Sequence, residues 1–153
     1  MIIDTHTHIF NEEVYQTYLK KSGGRIDKML TLHFWINNND TQPTKRTLEE
    51  ILSFSETKEN LFVVATVNIT YSIKEQLEKI ETLLKNKRVV GIKMYPGYQH
   101  FYPSDETIFP IAKLCETYNK PLIFHSGDVF DRMGTAELKY SHPIHIDNLA
   151  TRY

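Results

Sequence analysis

Several signals are missing from this chain of 153 residues, and each absence narrows what it can be. Cysteine occurs once, as Cys115, so no disulfide can form within the chain and a reducing, cytoplasmic compartment is expected. No apolar run approaches the ~18 residues of a membrane-spanning helix. The N-terminus MIIDTHTHIF lacks the charged start and cleavable apolar core of a secretory signal. Charge of one sign is missing too: 18 Lys and Arg stand against 19 Asp and Glu, with no long block of either. That balance removes the electrostatic footprint of a nucleic-acid or anionic-membrane binder and leaves a small molecule as the expected partner. The glycine-rich phosphate loops GxGxxG and GxxxxGK[ST] do not occur, nor does any repeat, low-complexity stretch or linker.

What is present is an ordinary globular mix, 41% hydrophobic and 12% aromatic, in one domain spanning residues 1–153. Strand and helix patterns alternate along it. MIIDTHTH reads as a short strand, and 12–21 as a helix closed by Gly23 and Gly24. Residues 27–36 read as a second strand, 37–45 as a polar loop and TLEEILSFSETKE as a helix. The clearest strand is 61–69, apolar on both faces. The clearest helix is 72–87, with Ile73, Leu77, Ile80, Leu83 and Leu84 along one side. Residues 89–95 and 121–127 supply the fourth and fifth strands. Between them runs a helix, DETIFPIAKLCETYN, for which Ser104 is a candidate cap. Pro110 either disturbs its first turn or marks its true start. Residues 128–143 read as an irregular connection, and 144–153 as a helix left unfinished at Tyr153.

Strand–helix alternation with apolar strands predicts an α/β fold with a parallel sheet and helical crossovers. A doubly wound nucleotide-binding sheet would carry a glycine-rich turn after its first strand; here HTHIFNEE follows instead. Polar residues collect at strand C-termini: His6 and His8 on the first, Lys93 and Tyr95 on the fourth, His125 on the fifth. A (β/α)8 TIM barrel places its active site at that end, but needs roughly 250 residues. The expectation is therefore an incomplete barrel, its N-terminal part, with about five βα units.

Residues two apart in a strand face the same way, so His6 and His8 can offer two imidazoles to one cation. A bare His-x-His arises often by chance, whereas DTHTH closing an apolar first strand is less common. His125 ends an apolar strand at a matching height. Alone it reads equally well as a hydrogen-bonded core histidine; beside the first pair it becomes a candidate third ligand. Neutral imidazole suits a divalent metal, zinc first.

IIDTHTH, VVGIKMYPGYQHFYP and PLIFHSGD, in this order and spacing, resemble the amidohydrolase superfamily, in particular the mononuclear branch that includes decarboxylases and lactonases. The resemblance implies a (β/α)8 barrel with His6, His8 and His125 as metal ligands. It also implies an acid/base histidine ending a sixth strand and an aspartate ending an eighth, both of which would fall after Tyr153. Metal-activated attack of water on a carbonyl-type bond, or the related decarboxylation, is the implied chemistry, and the isolated chain is expected to be inactive. The rival expectation is a non-catalytic half-barrel that binds metal. Exposed strand edges would let it pair with another chain or form a homo-oligomer.

Other residues carry weaker signals. Lys93 sits in a strand covered on both faces. It is expected either to pair with a buried carboxylate or, as the resemblance would have it for binuclear relatives, to bridge two metals. Asp4 shares the alternation of His6 and His8, and is expected to support a ligand histidine or to pair with Lys93. Tyr95, Tyr98, His100, Phe101 and Tyr102 crowd the loop after the fourth strand, where they either touch substrate or pack the loop. His33 and Trp35 are expected as pocket wall or as ordinary packing. His142 is placed near the mouth and His145 on the surface. Asp128 is a remote candidate for a fourth ligand, and Cys115 reads as a buried small hydrophobe.

Overall fold

A computed structural model describes residues 1–33, 46–69, 72–127 and 136–152. Five strands form one sheet: β1 (Ile3–Thr7), β2 (Lys28–Leu32), β3 (Leu61–Thr66), β4 (Val89–Met94) and β5 (Leu122–Phe124). Neighbouring strands are all parallel, and their spatial order is their chain order. A doubly wound sheet reverses its order at a switch point. This sheet never does; it is the wall of a (β/α)8 barrel with five of its strands.

Side chains satisfy open backbone groups at the starts of α1 and α2. In α1 (Glu12–Ser22) the Asn11 side chain accepts from the Val14 N–H at 2.9 Å. Gly23, at φ 63°, closes that helix by donating its N–H to the Lys20 carbonyl. A capping box between Thr47 and Glu50 starts α2 (Leu48–Glu56). Ile80 and Leu84 of α3 (Ile73–Lys85) are buried as the apolar stripe predicts. The helix before β5 differs from expectation. A 3-10 turn, Glu106–Ile108, precedes α4 (Phe109–Thr117), and Ser104 caps neither. Pro110 lies in the first turn of α4, where its missing N–H has no intrahelical partner to lose. Nor is the last helix unfinished. In α5 (Ile144–Ala150) the Thr151 N–H turns back onto the Asp147 and Leu149 carbonyls.

The core lies between the sheet and its helices. Ala65, Val89, Ile92 and Met94 meet Ile80, Leu84, Ile108, Ile111 and Cys115 on one side. Ile9, Tyr15, Met29 and Leu61 form a second cluster on the same face of the sheet, against Tyr18 and Leu19 of α1. Each fully buried Ile or Leu side chain contributes roughly 1.5–3 kcal/mol.

A bulge in β1 decides which residues face the helices. Asp4 pairs with Met29, but Thr7 pairs with Thr31, so three residues of β1 span two of β2. Met29 belongs to the helix-side core. Asp4 and Thr7 therefore both face the helices, and His6 and His8 face the other way. The expectation that Asp4 shares their face is corrected here, because a bulge breaks the period of two.

Candidate functional site

On the sheet face away from the helices, His6 and His8 stand edge to face with ring centroids 5.5 Å apart. His8 Nδ1 lies 3.2 Å from the Leu32 carbonyl oxygen. Only a protonated Nδ1 can donate there, so Nε2 keeps its lone pair for a ligand. Both imidazoles titrate below the ordinary histidine range. For His6 the causes are burial and then the Lys93 and His125 charges, against an opposing pull from Asp4. For His8 burial leads, opposed by the bond to Leu32 and reinforced by His6 and Lys93. Two neutral imidazoles at pH 7 are the state a metal needs.

Register carries this face across the sheet. Thr66 of β3 pairs with Lys93 of β4, and Lys93 with Ile123 of β5. His125, two residues past Ile123, is on the same face, its N–H donating to the Met94 carbonyl at 2.9 Å. Its ring lies 5.1 Å from Tyr98 and 6.3 Å from Tyr95. His6, His8 and His125 thus share one face and electrostatic reach. As placed, no group of three or more His, Cys, Asp or Glu side chains among the described residues stands close enough to hold an ion.

Lys93 is 4% exposed, with Nζ 5.4 Å from the Tyr95 ring centroid. Burial holds its ammonium down to about 8. The expected carboxylate partner is not there: among the described residues no acid forms an ion pair with Lys93. Asp4 engages elsewhere. It accepts the His6 backbone N–H at 3.1 Å and the Tyr18 hydroxyl, so it ties the β1 backbone to α1 and touches neither the His6 ring nor Lys93.

The aromatic residues after β4 divide. Tyr95 and Tyr98 are buried beside His125, and the Tyr95 hydroxyl donates to the His33 carbonyl at 3.0 Å. Burial pushes the Tyr95 phenol well up. His100 instead stacks on Tyr140 at 5.0 Å, and Tyr102 lies 4.8 Å from Tyr140 and 4.4 Å from His145. These contacts bind the β4 loop to the segment before α5. They half-bury His145, which the sequence had suggested would be a surface residue. His142 is exposed, its Nδ1 accepting from the Ile144 N–H. Trp35 and Asp128 lie outside the described residues.

His33 is 6% exposed. It lines a cavity of about 400 Å³ with Leu48, Thr66, Asn68 and Gln76. Neither ring nitrogen has a hydrogen bond of normal geometry among the described residues, and burial lowers its pKa to about 4. Gln99 escaped the sequence reading. It is 3% exposed, its amide has no hydrogen-bond partner among the described residues, and a glutamine inside an aromatic loop carries no signal of that.

A family model described as amidohydrolase matches residues 3–153. No curated protein matches the chain. Among solved structures it is similar to 5-carboxyvanillate decarboxylase of Novosphingobium aromaticivorans, bound to manganese and 3-methoxy-4-hydroxy-5-nitrobenzoic acid, at TM-score 0.60 and 13% identity. That match covers 99% of this chain and 61% of the decarboxylase. A second structure of the same decarboxylase, again with manganese and the nitrobenzoic acid, matches at TM-score 0.57 and 14% identity, covering 99% and 60%. The likeness shows the barrel fold, and the chain spans about three fifths of the length of these neighbours. Among the described residues no helix is long and apolar enough to cross a membrane.

Proposed function

Since the chain belongs to the amidohydrolase family, we propose that His6, His8 and His125 hold one divalent metal and that the whole protein hydrolyses or decarboxylates a small molecule. The observation that carries this reading is the pairing of His8 with the Leu32 carbonyl, with His6 beside it on the same face. A backbone acceptor that fixes one ring nitrogen is the usual support of a metal-binding histidine. A divalent ion supplies Lewis acidity for polarising a carbonyl and for activating water near neutral pH.

The chain's own residues do the rest. The Leu32 carbonyl holds the His8 tautomer, and the burial of His6 and His8 keeps both unprotonated. Tyr95 and Tyr98 wall the space beside His125. Acid/base groups are expected on strands beyond these five. Three imidazole ligands favour zinc, while manganese is the ion of the decarboxylase neighbour.

Calorimetric titration of metal-free protein with Zn²⁺ and with Mn²⁺ tests this. One ion per chain is expected, with His8→Ala and His125→Ala each weakening it by more than about tenfold. Variants that bind as tightly as wild type would remove the reading. A second reading, a metal-binding half-barrel that pairs with another chain, draws support from the edge strand β1, where Ile3 is 41% exposed and Ile2, just before the strand, 53%.

A further inference from the structure

We infer that Tyr18 is a positioning residue for His6: through Asp4, its hydroxyl holds the β1 bulge that turns His6 onto the face of His8. This rests on the proposed function only in giving that face its metal.

The bulge decides what β1 presents. Asp4 stands opposite Met29, on the helix side of the sheet. A regular strand continued from that pair would set His6 opposite Thr31 and turn it, with His8, toward the helices. The extra residue brings Thr7 to that place instead and leaves both histidines on the opposite face. A bulge disrupts the ladder locally, so other groups must hold its shape.

Two sets of contacts hold this one. Beyond it, Thr7 Oγ1 donates to the Leu30 carbonyl at 3.0 Å, and the Thr31 hydroxyl exchanges two bonds of 2.9 Å with the Ile9 backbone. These fix Thr7 and Ile9, and with them His8 between. On the other side the Asp4 carboxylate is the only link of this kind to α1: one oxygen accepts the His6 N–H at 3.1 Å, and the other accepts the Tyr18 hydroxyl among the described residues. The bond to His6 spans two residues and is purely local. Tyr18 ties it to the rest of the molecule, because its ring packs against the cluster of Ile9, Tyr15, Met29 and Leu61. The bond to Asp4, and then burial, push the phenol up to about 12, so it remains a donor throughout the neutral range. Removing the hydroxyl alone frees the carboxylate while the ring keeps its packing. The loss then falls on His6 and spares His8.

Zn²⁺ affinity by calorimetry and backbone amide exchange by NMR test this on the full chain as wild type, Tyr18→Phe, Asp4→Ala and the double variant. Tyr18→Phe is expected to weaken Zn²⁺ binding about tenfold, as loss of a group supporting a ligand histidine does. Exchange at the His6 amide should quicken about tenfold, while that at Ile9, held by Thr31, stays within about twofold. In the Asp4→Ala background, adding Tyr18→Phe should change neither quantity further, because the hydroxyl acts only through the carboxylate. Wild-type affinity and exchange in Tyr18→Phe would overturn the inference, since the ring would then only pack. Equal quickening at His6 and Ile9 would overturn it as a general loosening, and additive losses in the double variant would overturn the route through Asp4. Wild type that binds no Zn²⁺ overturns the metal reading, and the His6 exchange comparison then upholds or overturns the inference by itself.

Discussion

Acid should destabilise this protein through one buried histidine. His33 is 6% exposed, and burial holds its pKa at about 4 against 6.5 for a free imidazole. The Arg46 backbone and Glu49 pull the other way and do not outweigh burial. Between those two pKa values the unfolded chain takes up a proton that the folded chain refuses. Stability is therefore complete above pH 6.5 and is lost as pH falls toward 4. At pH 5 the binding polynomial of the unfolded imidazole exceeds that of the native one by about thirtyfold, which is worth about 2 kcal/mol. Urea unfolding followed by circular dichroism at pH 7 and pH 5 measures it. His6 and His8, also held low, add loss in the same direction. His33→Leu subtracts their share, and its loss between the two pH values should be smaller than that of wild type by about 2 kcal/mol. His33→Gln, neutral and polar, should behave as the leucine variant does. Equal pH dependence in wild type and both variants would refute the reasoning, since His33 would then titrate normally in the fold.

Two other perturbations have signs set by the packing. A Cβ on Gly91 would sit 3.0 Å from the Pro121 carbonyl and 3.1 Å from its ring, so Gly91→Ala must push β5 from β4; a loss of about 1–3 kcal/mol in urea unfolding is expected, and an unchanged midpoint would contradict the close approach. Cys115 is 3% exposed with its thiol pushed up to about 12 by burial, so a thiol–disulfide reagent at pH 8 should label it slowly in the native protein and fully in urea; rapid native labelling would contradict its place in the core.

How much of this could be read in advance depended on the range of the interactions involved. The five strands and the major helices were visible because each is written in a local period of two or 3.6. The barrel was indicated by the polar residues gathered at strand C-termini, His6, His8, Lys93, Tyr95 and His125, and by the family resemblance; the unreversed strand order itself is not written in any local period. Pro110 pointed to the start of α4, because proline is tolerated in a first turn and not deeper. The orientation of Asp4 was not visible. The bulge that turns it depends on how β1 registers against Met29 and Thr31, some two dozen residues away. The same limit applies to Lys93: a lysine in an apolar strand announces burial, but which acids among the described residues reach it depends on several strands at once, and none pairs with it. His100, Tyr102, Tyr95 and Tyr98 are alike in sequence, being aromatic or imidazole side chains in one loop, and their different contacts could not be told apart there. Tyr140, brought in from after β5, separates the two pairs.

Anomalous diffraction from crystals of the protein grown with Zn²⁺ or Mn²⁺ would test the central claim most directly. The account predicts one strong peak per chain, bonded by His6, by His8 through Nε2 and by His125, with Lys93 outside its ligand sphere. A peak bonded by other residues, or no peak from protein that is folded and exposed to either metal, would contradict it.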